Sequence, residues 1–202
     1  EIEFFALNNL CIYLERYYGK NVIILLDKYN TPMDKDRDHA YIIEFKVRKP
    51  KKEKKCIDWV REVIGMGLYL NPGNDAFRQA LSDDIYIDKT KMIALMNNRL
   101  NKPSVKFVCV SRPRRFGKSM AANMLTAYYC RGCNSKELFF KYNIANEETF
   151  NEHLNQHDVI YINVQQFLRK IESLTELGKC IENAVLKEIY IAYSQILLEK
   201  QS

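Results

Sequence analysis

The sequence predicts an α/β fold, a mostly parallel sheet flanked by helices, and three observations carry that expectation. Short continuous apolar runs recur at "NVIILLD", "VKFVCV" and "HDVIYINV". Runs of this length, rich in β-branched residues, suit strands buried on both faces of a parallel sheet. Between them lie stretches with apolar residues at helical spacing, and strands alternating with helices give a layered α/β architecture. Finally, "VKFVCV" leads at once into "SRPRRFGKS", where a glycine and a lysine precede a helical stretch.

The elements follow in order. From Glu1 to Tyr18, Phe5, Leu7, Leu10, Tyr13, Leu14 and Tyr17 recur at the spacing of an amphipathic helix. "GKNVIILLD" is a buried strand stopped by Asp27, "KYNTPMDKDRDH" a charged connection, and "AYIIEFKV" a second strand with Glu44 and Lys46 on one face. "CIDWVREVIG" suits a short helix ended by Gly65. "MGLYLNPGNDAFRQALSDDIYIDKT" suits turn, helix, short strand and turn. A helix from Lys91 to Arg99 leads through "NKPS" to the strand "VKFVCV". Ser119 to Tyr129 is helical, "CRGCNS" a break and "KELFFKY" helical again. "HDVIYINV" is the next buried strand, and Leu174 to Leu198 a long amphipathic helix.

A chain of 202 residues holds one ordinary domain with a proper core, or one domain and a fragment of another. The formal charge is +6, and much of it sits in "KVRKPKKEKK", Lys46 to Lys55. Such a run is either a solvated loop or a contact for nucleic acid or another anionic surface. No run approaches the roughly 20 apolar residues of a spanning helix, and no signal peptide is visible. A soluble, cytoplasmic protein is therefore expected, with its six scattered cysteines as free thiols. The chain begins at Glu1 without a methionine, as a fragment or a processed chain would.

A Walker A loop reads G-x-x-x-x-G-K-[ST] between a strand and a helix. Gly117, Lys118 and Ser119 supply its last three positions in that context. The glycine lets backbone approach a phosphate, the lysine places a charge on the β and γ oxygens, and the hydroxyl can hold Mg²⁺ at a helix N-terminus that favours anions. Arg112 stands where the first glycine would be. With Arg114 and Arg115 it gives the loop three guanidiniums suited to phosphate oxygens.

"YIDKT", Tyr86 to Thr90, followed after a short helix by "FVCVSRPRRFGKSM", Phe107 to Met120, resembles the start of the AAA-ATPase-like family common in bacteria. Its members typically carry a loop of the form SRPRRFGKS, with arginine in place of the first glycine. "ELFFKYNIA" and "HDVIYINVQQF" resemble the segments that follow, so the resemblance covers Tyr69 to about Phe167. It implies a P-loop NTPase-like sheet, with ATP and Mg²⁺ at Gly117, Lys118 and Ser119.

In that family a segment like "LIDEYDxP" follows the loop, whereas here "LLDKYNTPM", Leu25 to Met33, precedes it. By the resemblance, Asp27 matches the metal-linked aspartate, but Lys28 stands at the glutamate position and Asn30 at the second aspartate. A protonated lysine cannot activate water and would repel the metal. "AYIIEFKV" in turn resembles part of the family's usual C-terminal partner, a PD-(D/E)XK nuclease-like domain, in which Glu44 would hold Mg²⁺ and Lys46 steer water. That reading needs a further aspartate. Asp27 is its strand-end candidate, while Asp34, Asp36 and Asp38 lie in the connecting loop; an alternating Glu/Lys pair is also ordinary on an exposed strand.

The pieces thus read as residues 1–33, a Walker-B-like helix and strand; 34–64, a nuclease-like strand fragment and basic linker; and 65–202, the N-terminal half of an ATPase-like domain. The P-loop NTPase-like sheet is accordingly expected to be incomplete or rearranged in sequence order. Either a deleted upstream copy runs into a downstream one, or the domain is permuted and Val22 to Asp27 inserts beside Val105 to Val110. The expected function is ATP binding with weak or absent hydrolysis. The alternative is a degenerate nuclease-like remnant that binds nucleic acid through residues 46–55.

Two other constellations carry ligand chemistry. Cys130-x-x-Cys133 with His153 and His157 has the residue types of a zinc site, set against separate thiols and surface histidines. The aromatic stretches "YLERYY" and "TAYYC" and Trp59 could stack on bases, but helical spacing reads more simply as core.

Overall fold

The computed structural model describes residues 22–29, 39–45, 67–100, 102, 105, 107–111, 113, 115–171, 173 and 176–198. In chain order these form β1 (Val22–Tyr29), β2 (His39–Phe45), α1 (Asp75–Leu81), α2 (Lys91–Asn97), β3 (Phe107–Ser111), α3 (Lys118–Tyr129) and α4 (Lys136–Phe139). A 3₁₀ turn (Asn143–Asn146), α5 (Phe150–His153), β4 (Val159–Asn163), α6 (Val164–Leu168) and α7 (Leu177–Leu198) complete them. The helices expected over Glu1 to Tyr18 and in "CIDWVREVIG" lie outside the described residues, as do Trp59 and the segment 46–66.

The sheet order is β3-β2-β1-β4. β1 runs parallel to β4, from Ile23 beside Val159 to Asp27 beside Asn163. β2 runs antiparallel to both β1 and β3, so β1, β3 and β4 share one direction. The mostly parallel sheet is therefore a mixed one. β1 and the loop-bearing β3 share the sheet but are not adjacent, because β2 lies between them.

Alternation along β1 divides the core. Val22, Ile24 and Leu26 pack with Ile160, Ile162 and Phe167 beneath α7, which presents Leu177, Ile181, Val185 and Ile189 at four-residue intervals. Ile23, Leu25 and Val159 face the other way, against Met124, Leu125 and Tyr128 of α3 and Phe77 of α1. Val22 to Leu26 are each at most 5 % exposed. Burying five such side chains stabilises the fold by on the order of 10 kcal/mol, as much as a whole domain's net stability.

Two expectations are revised by local chemistry. "IYID" forms no strand: Ile85 and Ile87 are both exposed, and Asp88 engages the Thr90 amide instead of a ladder partner. The long helix begins at Leu177 rather than Leu174.

The far side of β4 is covered by residues 69–71, which bond to it through Asn71 N to Val159 O (2.7 Å) and Tyr161 N to Tyr69 O (2.8 Å). Glu188 on α7 holds this segment down, accepting from the amides of Leu68 (3.0 Å), Tyr69 (2.8 Å) and Leu70 (2.9 Å). Gly67 makes the approach possible, since a Cβ there would lie 2.6 Å from Glu188 Oε2 and 2.5 Å from Leu70 O. Replacing Glu188 by alanine leaves three amides without their charged acceptor. Glu188→Ala should lower stability in urea unfolding by about 2 kcal/mol; an unchanged midpoint would mean that water serves the amides equally well.

Candidate functional site

β3 ends at Ser111, and six residues later Gly117 caps α3 in the left-handed region, at φ 72° and ψ 33°. Glycine adopts that conformation without the Cβ penalty other residues meet. The helix then starts at once, with Ala121 N donating to Gly117 O at 2.9 Å. First-turn amides of α3 have no carbonyl one turn back within the helix, and its dipole is positive there. Arg115, exposed, is also left-handed at φ 68°, a strained setting for a long side chain.

Two lysines close on this turn from opposite directions in sequence. Lys118 Nζ donates to Pro113 O at 3.0 Å, and Lys89 Nζ, from the segment before α2, donates to Phe116 O at 2.9 Å. A Cβ on Gly117 would lie only 2.7 Å from Lys89 Nζ, so that ammonium sits directly against the glycine. Ser119 follows in the first turn, half-buried. Arg112 and Arg114 lie outside the described residues.

Lys89 is positioned by its neighbours in "YIDKT". Asp88 Oδ1 accepts from Thr90 N (2.8 Å), and its Oδ2 accepts from Asn143 Nδ2 (2.5 Å) and Asn143 N (3.2 Å). Thr90 Oγ1 accepts from Ile144 N at 3.2 Å. Burial opposes ionisation of Asp88, but the hydrogen bonds from Thr90 and Asn143 outweigh it and hold the carboxyl below its usual value. The segment is thereby stapled to the 3₁₀ turn, with Lys89 directed at the loop. The role of Lys89 is not legible in the sequence, because no local periodicity relates it to a glycine 28 residues downstream.

Asp27 stands near the end of β1, 1 % exposed. It continues the Ile23, Leu25 alternation, so it belongs to the face that carries α3. Tyr161 Oη donates to its Oδ2 at 3.1 Å, while its Oδ1 has no hydrogen-bond partner among the described residues. Burial first, and then Asp27, raises the Tyr161 phenol well above its usual value and keeps it a donor. Asn163, beside Asp27 in the register, has an equally buried and unpartnered Oδ1.

For Mg²⁺, a carboxylate oxygen left unsatisfied in the interior and a serine hydroxyl in the first turn of α3 are donors of the required hard-oxygen type. The residues present fit the ion. Glu44, the alternative metal residue, pairs in register with Ile23, four residues from Asp27. At about 3.3 Å per residue this separates the two backbones by roughly 13 Å along the strands. Lys46 to Lys55 and Asp34, Asp36 and Asp38 lie outside the described residues.

The remaining constellations resolve structurally. Tyr128 and Tyr129 are core, their rings edge to face at 4.8 Å. His153 and His157 are buried rather than on the surface, with Nδ1 and Nε2 3.0 Å apart. Among the described residues no group of three or more histidine, cysteine or acidic side chains is arranged to hold a metal, so the zinc reading fails. Cys130 is buried and its thiol pushed up, first by its hydrogen bond to Cys133 and then by burial; Cys109, Cys130, Cys133 and Cys180 are all free. Among the described residues no helix is long and apolar enough to cross a membrane.

Two outcomes follow from this geometry. Gly117→Ala should cost about 1 kcal/mol in urea unfolding through the left-handed backbone. Adding Lys89→Ala should recover little of that cost, since the lysine tip can swing aside; a neutral Gly117→Ala would refute the turn geometry. Tyr86, half-buried beside Asp88 and Tyr142, is pushed up to about 12 from 10.0, chiefly by burial. A folded value above the unfolded one means that its contribution to stability is complete below pH 10 and lost as the pH rises through about 12. The difference between alkaline absorbance titrations of the parent and Tyr86→Phe should place this ionisation late, and ionisation near 10 in the folded protein would contradict it.

A family model described as Predicted AAA-ATPase matches residues 73–201, more than half of the chain, from α1 through β3, the glycine turn and β4 into α7. β1 and β2 fall outside the match. No curated protein and no solved structure matches. The chain belongs to the AAA-ATPase-like family.

Proposed function

We propose that the chain binds ATP with Mg²⁺ at the turn between β3 and α3, and that hydrolysis there is weak or absent. The observation that carries this reading is the left-handed Gly117 opening α3, with the ammonium groups of Lys89 and Lys118 on the loop carbonyls of Phe116 and Pro113. Gly117 leaves room for a phosphate against backbone amides, Lys118 and the guanidiniums of Arg112, Arg114 and Arg115 neutralise its oxygens, and Ser119 and Asp27 would hold Mg²⁺. Bound there, the ion would supply positive charge to offset that of the phosphate oxygens.

Hydrolysis requires a group to orient water. Lys28 follows Asp27 where the family pattern has a carboxylate. An ammonium can neither accept a proton from water nor share a metal's neighbourhood without repulsion. The strand order supports one functional unit although the aspartate strand precedes the loop in sequence: it lies in the same sheet as the loop's strand and runs in the same direction. The register distance between Glu44 and Asp27 favours this reading over a nuclease-like one.

Calorimetric titration with Mg²⁺ and a non-hydrolysable ATP analogue should give saturable binding, weakened about tenfold or more in a folded Lys118→Ala variant. Equal binding by that variant, or none by the folded parent, would dismiss the reading. In the same preparation Lys28→Glu should raise turnover, and no change would separate Asp27 from the site.

A further inference from the structure

Asn163 closes β4 beside Asp27, on strands about 4.8 Å apart. Residues paired in register across parallel strands project to the same face, and Tyr161, two residues before Asn163, reaches Asp27 Oδ2 on that face at 3.1 Å. What is left are two acceptors: Oδ1 of Asp27 and Oδ1 of Asn163, both buried and without a hydrogen-bond partner among the described residues. Folded proteins seldom leave even one such oxygen unmatched. Neither oxygen can satisfy the other. A cation, or a water that donates one hydrogen to each, satisfies both.

We propose that Asn163 is a second oxygen group of the cation site, holding with Asp27 a hydrated divalent ion at the carboxyl ends of β1 and β4. The donor set is a carboxylate oxygen and a carboxamide oxygen. Both are hard oxygens, which suits an ion that keeps most of its water and takes its other ligands from a phosphate. Tyr161 occupies Oδ2 and so fixes Oδ1 as the free oxygen. Asn163 offers its oxygen to the hydrated ion and touches no phosphate. Its place at the ends of parallel strands is where open α/β sheets hold ligands.

The inference rests on the ATP and Mg²⁺ reading for the ion's role, and the test keeps the two apart. Nucleotide binding is measured first in EDTA with a fluorescent ATP analogue. Mn²⁺ binding is then measured from the free-ion electron spin resonance signal, with and without a non-hydrolysable ATP analogue. Asn163→Ala should weaken Mn²⁺ about tenfold while leaving metal-free nucleotide binding unchanged. Asn163→Asp, which keeps an oxygen and can donate nothing, should hold Mn²⁺ at least as tightly as the parent.

Equal Mn²⁺ affinity in Asn163→Ala and parent overturns the proposal. So does loss of Mn²⁺ by a folded Asn163→Asp, which would make Asn163 a donor to Asp27. If no nucleotide binds at all, the phosphate-loop reading has failed by itself. Mn²⁺ bound by the protein alone then decides: weaker retention in Asn163→Ala upholds the ion site, and no retention by the parent rejects it. Should Asn163→Ala not fold, the comparison is made with Asn163→Ser, with the same expected loss.

Discussion

The parallel pairing of β1 with β4 is the constraint on which the rest of this structure depends. It buries β1 on both faces and makes the sheet's two cores one structure, with even-numbered residues beneath α7 and odd-numbered ones beneath α3. A slip of one residue would exchange the faces, and with them the side on which Asp27 emerges. In the observed register Asp27 emerges on the side of the helix that the glycine turn opens. The chemistry of the site is thus fixed by strand register, not by proximity in sequence.

The turn has Arg112 where the phosphate-binding pattern has its first glycine, and its two left-handed residues lie further along. Gly117 takes the left-handed conformation at the helix entry, and Arg115 takes another two residues earlier. Such strain in a bulky residue persists only where surrounding contacts enforce it. The lysine bonds to Pro113 O and Phe116 O supply part of that enforcement. Lys89 is in turn held in place by Asp88 and Thr90, whose side chains satisfy the Thr90 amide just before α2 and an amide of the 3₁₀ turn. A chain of short-range hydrogen bonds therefore carries a charge to the loop from a segment distant in sequence.

The strands were legible because their burial is written in unbroken apolar runs: "VIILLD" and "VIYIN" are strands largely where the pattern puts them. The glycine turn was legible because its residue types have few other uses between a strand and a helix. Other features depend on long-range geometry. Nothing in "AYIIEF" says that it will stand between β1 and β3, or run against both. "IYID" has the alternation of a strand, yet no neighbour among the described residues takes up its ladder bonds. Lys89 and Asn163 gain their meaning only from what the fold sets beside them, a carbonyl of the loop in one case and a buried carboxylate in the other. The zinc-like spacing of Cys130, Cys133, His153 and His157 could not be decided from residue types alone, and the fold turns these side chains into pairs and core contacts.

The central claim is that β1 is an integral strand of the sheet that carries the glycine turn, although it stands before that turn in sequence and outside the family match. Native-state hydrogen exchange tests it most directly. The amides of residues 23–26 should exchange only through global unfolding, with the same free energy as those of Leu125 to Tyr128 in α3. If the β1 amides exchange through a local opening several kcal/mol below the global value, β1 is not part of that cooperative core, and the placement of Asp27 beside the loop's helix loses its basis.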